Sequence, residues 1–422
     1  MDVIIIGAGA AGLMAARELA RAGKTVTILE ARDRIGGRIY PLSIEKFGYE
    51  AMGGAEFVHG PAPITTKLVE EAGLTFTHSE EWWSAVDGDP SPVHHLPQFH
   101  RPELEAKLRE LKEDMTVMEF LDRYFPAEHH EKLRHYVCRE VEGYDAGDPA
   151  RSSILAFRDE ILDEKSWQER RLQGGYGVLA RFIESELRMR GVEILLNAAV
   201  TTVDTSGDGV RITCADGSVH EASSVVVTVP VPLISELNFI PALPEKVSAA
   251  EKLGFGPAIK VLLRFRSKWW GGLREKAFDK LFFMFSKEVI PSWWTQFPQP
   301  HTTLTGWVAG PSAHKLRDVT AEEFTELSLT SLSHIFSISV EELRKELITT
   351  ETFVWENEPF MRGAYSYSTP ESGGAATELR KPVGRKLYFA GEALARDSSA
   401  STVEGAFASA LDVAKAILGE VE

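Results

Sequence analysis

The sequence predicts an α/β protein: a Rossmann-like dinucleotide-binding domain interrupted by a second domain of mixed sheet with a helical insertion. Three observations predict it. A strand–glycine turn–helix–strand unit opens the chain, α/β patterning returns from Gln173, and a late strand runs into a helix rich in small residues. Alternation of strands and amphipathic helices is the pattern of a parallel sheet covered on both faces.

The opening unit is Asp2–Glu30. Val3–Ile6 is an apolar run without alternation, as in a strand buried on both faces. It stops at Gly7, and Gly7, Gly9 and Gly12, with Ala10 and Ala11 between the last two, spell G-x-G-x-x-G. Leu13, Ala16, Leu19 and Ala20 then recur at helical spacing as far as Gly23, placed to end the helix. A second strand, Thr25–Leu29, ends on Glu30, 18 residues beyond Gly12. In such a unit the first glycine makes the turn, the second admits a pyrophosphate to the backbone, and the third lets helix and strand close up. The N–H groups at the helix start face the phosphates, and the acid accepts from a ribose hydroxyl. The motif alone does not separate FAD from NAD.

Composition narrows the function classes. The chain has 422 residues, enough for two or three domains, and a formal charge of −16 that argues against a nucleic-acid partner. An acidic surface can draw in cationic small molecules or simply keep the protein in solution. The two cysteines, Cys138 and Cys214, make no disulfide framework and no C-x-x-C site. No apolar run approaches the ~20 residues of a membrane span. The first strand starts directly after Met1, so the expectation is a cytoplasmic protein, monomer or homodimer, with no membrane partner.

After Glu30 comes Ala31–Arg38, in which Arg32 and Arg38 are placed to meet ribose or phosphate charge and Gly36-Gly37 permit close backbone approach. A second phosphate-contacting loop is more than an NAD site needs. A further Gly-Gly pair, Gly53-Gly54, leads through Ala55 and Glu56 to His59 in a loop bounded by glycine and proline. Together Gly7–Gly12, Glu30, Arg34–Arg38 and Gly53–Gly60 resemble the FAD-binding segments of the flavin amine oxidase family. That family includes monoamine oxidases, polyamine oxidases, L-amino-acid oxidases and lysine-specific histone demethylases. The resemblance implies an FAD-binding domain of the GR2 type, and GGAEFVHGP is similar to the polyamine oxidase version, where the histidine lies in the substrate tunnel.

The resemblance continues along the chain. Residues 78–171 read as a mostly helical insertion, with Leu104, Leu108, Leu111, Met115, Met118 and Leu121 at helical intervals. Its histidines (His94, His95, His100 and His129, His130, His135) lack acid or cysteine partners at ligand spacing, so no metal is expected. Beyond Gln173 come a glycine turn, a helix and a strand, then strands Ala199–Asp204, Val210–Ala215 and Ser218–Glu221 around an Asp216-Gly217 turn. Val225–Val229 is a buried strand stopped by Pro230, and the resemblance makes Val200 the residue whose backbone meets the adenine. A second sheet is expected over 246–377, from Ile259–Phe265, Phe282–Phe285, Thr303–Val308 and Thr349–Trp355.

Within that sheet Lys260 interrupts an apolar strand; a lysine at a strand edge is the plain reading, and the family places there a lysine that holds a water against flavin N5. Trp355 and Tyr365 resemble residues beside the flavin ring, Tyr365 as one wall of an aromatic cage. Ala364 stands where monoamine oxidases carry the cysteine that bonds to the flavin, which implies non-covalent FAD. Strand Leu387–Ala390 runs into Gly391-Glu392, then a helix starting near Thr402-Val403 and packing through Ala406, Ala410, Val413, Ala414 and Ile417. Thr402 replaces the tyrosine of monoamine oxidases and many polyamine oxidases, and Thr-Val resembles the histone demethylases.

The expected division is an FAD-binding domain of residues 1–77, 172–245 and 378–422 and a substrate-binding domain of 78–171 and 246–377. The cofactor contacts implied are Gly7, Gly9, Ala10, Ala11, Gly12, Glu30, Ala31, Arg32, Gly37, Arg38, Gly53, Gly54, Ala55, Glu56, Val200, Gly391, Glu392, Thr402, Val403 and Ala406. Lys260, Tyr365, His59 and Trp355 are the expected catalytic group. The expected reaction is oxidation of an amine, polyamine or bulky aliphatic in preference to small aromatic, with oxygen as acceptor. A flavin desaturase or oxidase of a carbon skeleton, and a flavoprotein kept only as a binding module, are the alternatives.

Overall fold

The computed structural model describes residues 2–77, 83–86, 88–91, 101–163, 169–273, 278–396 and 399–420. A five-stranded, all-parallel sheet organises the first half of the architecture, in the order Leu387–Phe389, Ser224–Val227, Asp2–Ile6, Thr25–Leu29, Glu193–Leu195. Asp2–Ile6 lies at its centre, which is why Val3–Ile6 shows no alternation: all four side chains are buried. The strand ends at Gly7, whose φ of +106° a residue with a Cβ rarely adopts. Helix Ala10–Arg21 follows, and Gly23, at φ +77°, is the left-handed residue just past its end.

That helix shares a core with the C-terminal helix Val403–Leu418, through Ala11, Ala15, Ala406, Ala410 and Ala414. Small side chains bring the two helix starts to the same edge of the sheet. The sheet's other face is covered by a four-stranded layer, Val219–Ala222, Val210–Cys214, Val200–Asp204 and Asn238–Ile240, and by helices Pro244–Lys252 and Ser372–Arg380. Ser224–Val227 is shorter than the expected Val225–Val229, because Thr228 turns away to bond the carbonyls of Ile6 and Gly7.

A seven-stranded mixed sheet forms the second half, ordered Leu347–Val354, Ala258–Phe265, Thr303–Ala309, Ser292–Trp294, Leu281–Phe285, Trp83–Val86, Asp89–Ser91. Ala258–Phe265 is an interior strand. Ile259, Val261, Leu263 and Phe265 enter the core beneath helix Ala321–Phe336, while Leu262 packs with Phe353 and Trp355 on the opposite face. Lys260 shares that opposite face by period-two alternation. It therefore stands in the middle of a sheet, not at an edge.

The insertion contains helices Arg101–Glu110, Val117–Tyr124, Ala127–Gly143 and Ile154–Leu162 around a core of their own. It is not purely helical, since Trp83–Val86 and Asp89–Ser91 extend the seven-stranded sheet. His94, His95 and His100 lie outside the described residues. His130 bonds the Pro126 carbonyl, and among the described residues no three His, Cys, Asp or Glu side chains gather as a metal site. Among them, too, no helix is long and apolar enough to cross a membrane. Cys138 and Cys214 are both free thiols.

Candidate active site

A cavity of about 1530 Å³ runs from the glycine turn of the parallel sheet to the cavity-facing side of the mixed sheet. Small-ligand pockets occupy ~300–1,000 Å³, so this one has room for a dinucleotide and a substrate together. Seventeen of the twenty expected cofactor residues line it; Gly12, Arg32 and Gly53 do not. All four of Lys260, Tyr365, His59 and Trp355 line it as well.

The cofactor end is built from backbone. A Cβ on Gly12 would fall 1.9 Å from the Gly7 carbonyl oxygen, so this glycine serves helix–strand contact. A Cβ on Gly9 would meet nothing within 4 Å, leaving its face open to the cavity. Gly37, at φ +59°, brings its backbone against Gly9 Cα. Glu30 accepts from Ala8 N–H at 2.7 Å and Arg32 N–H at 2.9 Å; burial raises its pKa despite these bonds. Arg32 pairs with Glu358 at 2.8 Å and keeps a buried Nη1 without a partner. Gly53 packs its backbone against the Phe353 ring, which explains its place behind the cavity wall.

Two helix starts face the same space. The first N–H groups of the helix from Ala10 have no intrahelical acceptors, and no side-chain cap takes them up. In the helix from Val403, Thr402 Oγ1 accepts from Gly405 N–H at 3.1 Å and leaves the Val403 and Glu404 N–H groups available. Arg38 bridges to Glu392 at 2.8 Å and to the Ala364 carbonyl at 2.9 Å, tying the glycine loop to the segment before Tyr365. The glycine cradle, the paired helix starts and the Glu30 carboxylate all line the cavity, and they fit a dinucleotide with the N–H groups as donors and the carboxylate as acceptor.

The substrate end is aromatic and acidic. Tyr365 donates its hydroxyl to the Tyr144 carbonyl and lies parallel to Trp307, ring centroids 6.3 Å apart. Trp307 in turn donates to the Gly143 carbonyl at 2.8 Å. His59 lies 3.4 Å from the Tyr144 hydroxyl and 3.7 Å from Glu169, and desolvation lowers its pKa, so the imidazole is neutral at neutral pH. Around them stand Glu140, Asp145, Glu160 and Glu169. Burial pushes Glu140 and Glu169 each up to about 7. Asp145 and Glu160 are hydrogen-bonded to one another, and burial raises both.

Lys260 is 2% exposed. Its ammonium donates to Glu56 Oε2 at 2.8 Å and to the Gly54 carbonyl at 3.1 Å. Burial lowers its pKa and Glu56 opposes that shift. Burial likewise raises Glu56, but Lys260 and Arg171 outweigh it and hold the carboxyl down at about 2.

Sequence reasoning missed Tyr144, Trp307 and the four acids. For the acids the one signal was a concentration of Asp and Glu that otherwise reads as solvated surface. Glu140 and Glu160 lie on helices, Asp145 just past a helix end and Glu169 at the start of a strand, and nothing in that spacing says that they converge.

The chain is 29% identical to human lysine-specific histone demethylase 2 over 99% of its own length and 53% of the relative's. It is 27% identical to polyamine oxidase 2 of Arabidopsis thaliana, covering 98% and 87%, and 28% identical to putrescine oxidase of Kocuria rosea, covering 91% and 88%. The chain thus spans about half the length of the histone demethylase and most of the two oxidases. In fold it resembles a redesigned putrescine oxidase, with TM-score 0.82, 23% identity and 100% and 99% coverage. It also resembles cyclohexylamine oxidase from Brevibacterium oxydans, with TM-score 0.81, 21% identity and 99% of both chains. A family model described as flavin containing amine oxidoreductase matches residues 10–418, and with nearly the whole chain inside it the protein belongs to that family, an amine oxidase whose cofactor is FAD.

Proposed function

We propose that the protein oxidises a diamine or polyamine, binding one amine against Tyr365 and Lys260 and a second, still charged, among Glu140, Asp145, Glu160 and Glu169. One observation carries the reading: a single cavity joins the glycine cradle to an end lined by four partly buried acids, Glu140, Asp145, Glu160 and Glu169. Bound FAD, held non-covalently, supplies the hydride acceptor at N5, so that the amine leaves as an imine, hydrolysed to a carbonyl compound, and oxygen is reduced to hydrogen peroxide.

The chain's own part is to position and desolvate. Residues 1–77, 172–245 and 378–422 hold the cofactor, and 78–171 and 246–377 shape the amine end. Tyr365, backed by Trp307, presents an aromatic face that orients an amine nitrogen. Trp355, buried beside Gly54, closes the wall there. His59, neutral and next to the Tyr144 hydroxyl, accepts a hydrogen bond from the uncharged amine. Holding the α-carbon in one place removes the entropy that a free encounter would cost. Thr402, where related oxidases have tyrosine, leaves room for an extended aliphatic chain. A cytoplasmic location fits the sequence expectation.

The test is specificity. kcat/KM for a four-carbon diamine should exceed that for the monoamine of equal length, and Glu160→Gln with Asp145→Asn should lower the diamine value about tenfold or more while sparing the monoamine. Equal loss for both amines contradicts the assignment of the distal charge.

A further inference from the structure

We infer that the Glu56 carboxylate is a positioning group for Lys260, fixing its ammonium in the cavity wall, and not a hydrogen-bond acceptor for the cofactor. The inference rests on the amine-oxidase reading of the cavity and says which charge state Lys260 works in.

A carboxylate offers about four lone-pair sites, and all of those on Glu56 are taken. Oε2 accepts from Lys260 Nζ at 2.8 Å and from Trp294 Nε1 at 3.0 Å. Oε1 accepts from Arg171 Nε at 2.9 Å and Gln296 Nε2 at 3.0 Å. No acceptor capacity remains for a ribose hydroxyl or a ring N–H. Arg171 is itself held by the carbonyls of Thr295 and Phe297, so it cannot swing away to follow another anion.

The lysine is fixed from three directions: Glu56, the Gly54 carbonyl, and the Trp294 ring, whose centroid lies 5.2 Å from Nζ. Gly54 and Glu56 belong to one short segment, and a Cβ on Gly54 would fall 1.8 Å from the Arg38 carbonyl oxygen. The lysine is thereby referenced to the loop that cradles the cofactor. Two of its three donors are used within the protein, and the third has no partner among the described residues. Arg171, Glu169 and the Tyr49 phenol also act on this charge group. One carboxylate sits between two cations, so its removal leaves Lys260 and Arg171 as neighbouring like charges out of water. A lysine anchored in this way is a fixed positive charge, and the proton of the substrate ammonium must go elsewhere.

The test follows the visible absorption of the bound cofactor with pH, without substrate, in the wild type, Glu56→Gln and Glu56→Gln/Lys260→Met. Without Glu56, burial and Arg171 both act to deprotonate the lysine. The expected result is a Lys260-dependent spectral step that moves to lower pH by about one unit or more in Glu56→Gln and is missing from the double variant. In amine-driven bleaching, Glu56→Gln should slow reduction about tenfold, with Lys260→Met adding little further in that background. An unmoved step, or losses that add, overturns the inference. Should Glu56→Gln fail to retain cofactor, Glu56→Asp keeps the charge and withdraws it by one methylene. It should show the same non-additivity with Lys260→Met, and additive losses again overturn the inference. The titration needs no amine, so its outcome stands apart from whether any amine is a substrate.

Discussion

At the scale of single residues, the glycines of the opening turn do different work, and two substitutions separate the kinds. Gly12→Ala drives a Cβ into the Gly7 carbonyl oxygen and must part helix from strand. It should cost about 1–3 kcal/mol, read as a lower denaturation midpoint. Gly9→Ala meets no protein atom, so the stability of the cofactor-stripped chain should stay within about 0.5 kcal/mol. Its FAD occupancy should nevertheless fall, measured as the ratio of flavin to protein absorbance after dialysis. Equal effects of the two on stability would mean that Gly9, too, serves packing. Glu56 shows what residue type leaves out: beside Gly54 and Ala55 it reads as a cofactor contact, and the structure adds that its carboxylate is taken up by Lys260, Arg171, Trp294 and Gln296.

At the scale of elements, the C-terminal helix matters through its first turn. Thr402 Oγ1 caps Gly405 N–H, and loss of such a cap costs about 1 kcal/mol. Thr402→Ala should be destabilised by that amount in urea unfolding and Thr402→Ser should not, since serine keeps the hydroxyl. The parallel sheet and its two flanking helices were legible in the sequence because glycine and small-residue positions encode backbone geometry directly. Lys260 was legible as an interruption of apolar sequence, but its central place was not, because sheet order depends on strands some ninety residues downstream, such as Leu347–Val354. Trp83–Val86 was read as part of a helical stretch, because its pairing partner Leu281–Phe285 lies some two hundred residues away. The acid-lined end was the least legible. Glu140 and Glu160 lie on separate helices, and only the packing of those helices turns surface charges into a cavity wall.

At the scale of the molecule, the acids of the cavity set a pH dependence of stability. Glu140, Asp145, Glu160 and Glu169 all have folded pKa values raised by burial. The folded protein keeps protons that the unfolded chain releases near pH 4–5. Their contribution is full below that range, and for Glu140, Asp145 and Glu169 it is lost as pH rises through about 7. Glu56 has the opposite sign: held at about 2, it stabilises the fold above the ordinary carboxylate range and fails only in strong acid. The melting temperature of the substrate-free protein should therefore fall from about pH 5 to about pH 8. A diamine should raise it more at pH 8 than at pH 6, because it pairs with acids that are then ionised; a flat profile without that difference would remove the acids from the binding site.

The central claim is that this cavity holds FAD against an amine. It is tested most directly by mixing the purified flavoprotein, without oxygen, with a diamine, a polyamine, a monoamine, an arylalkylamine and a porphyrinogen, and following the blue-region flavin absorbance. The account predicts bleaching by the diamine or polyamine, fastest of the set, and none by the porphyrinogen. Bleaching by the porphyrinogen alone, or by none of the five with flavin bound, would contradict it.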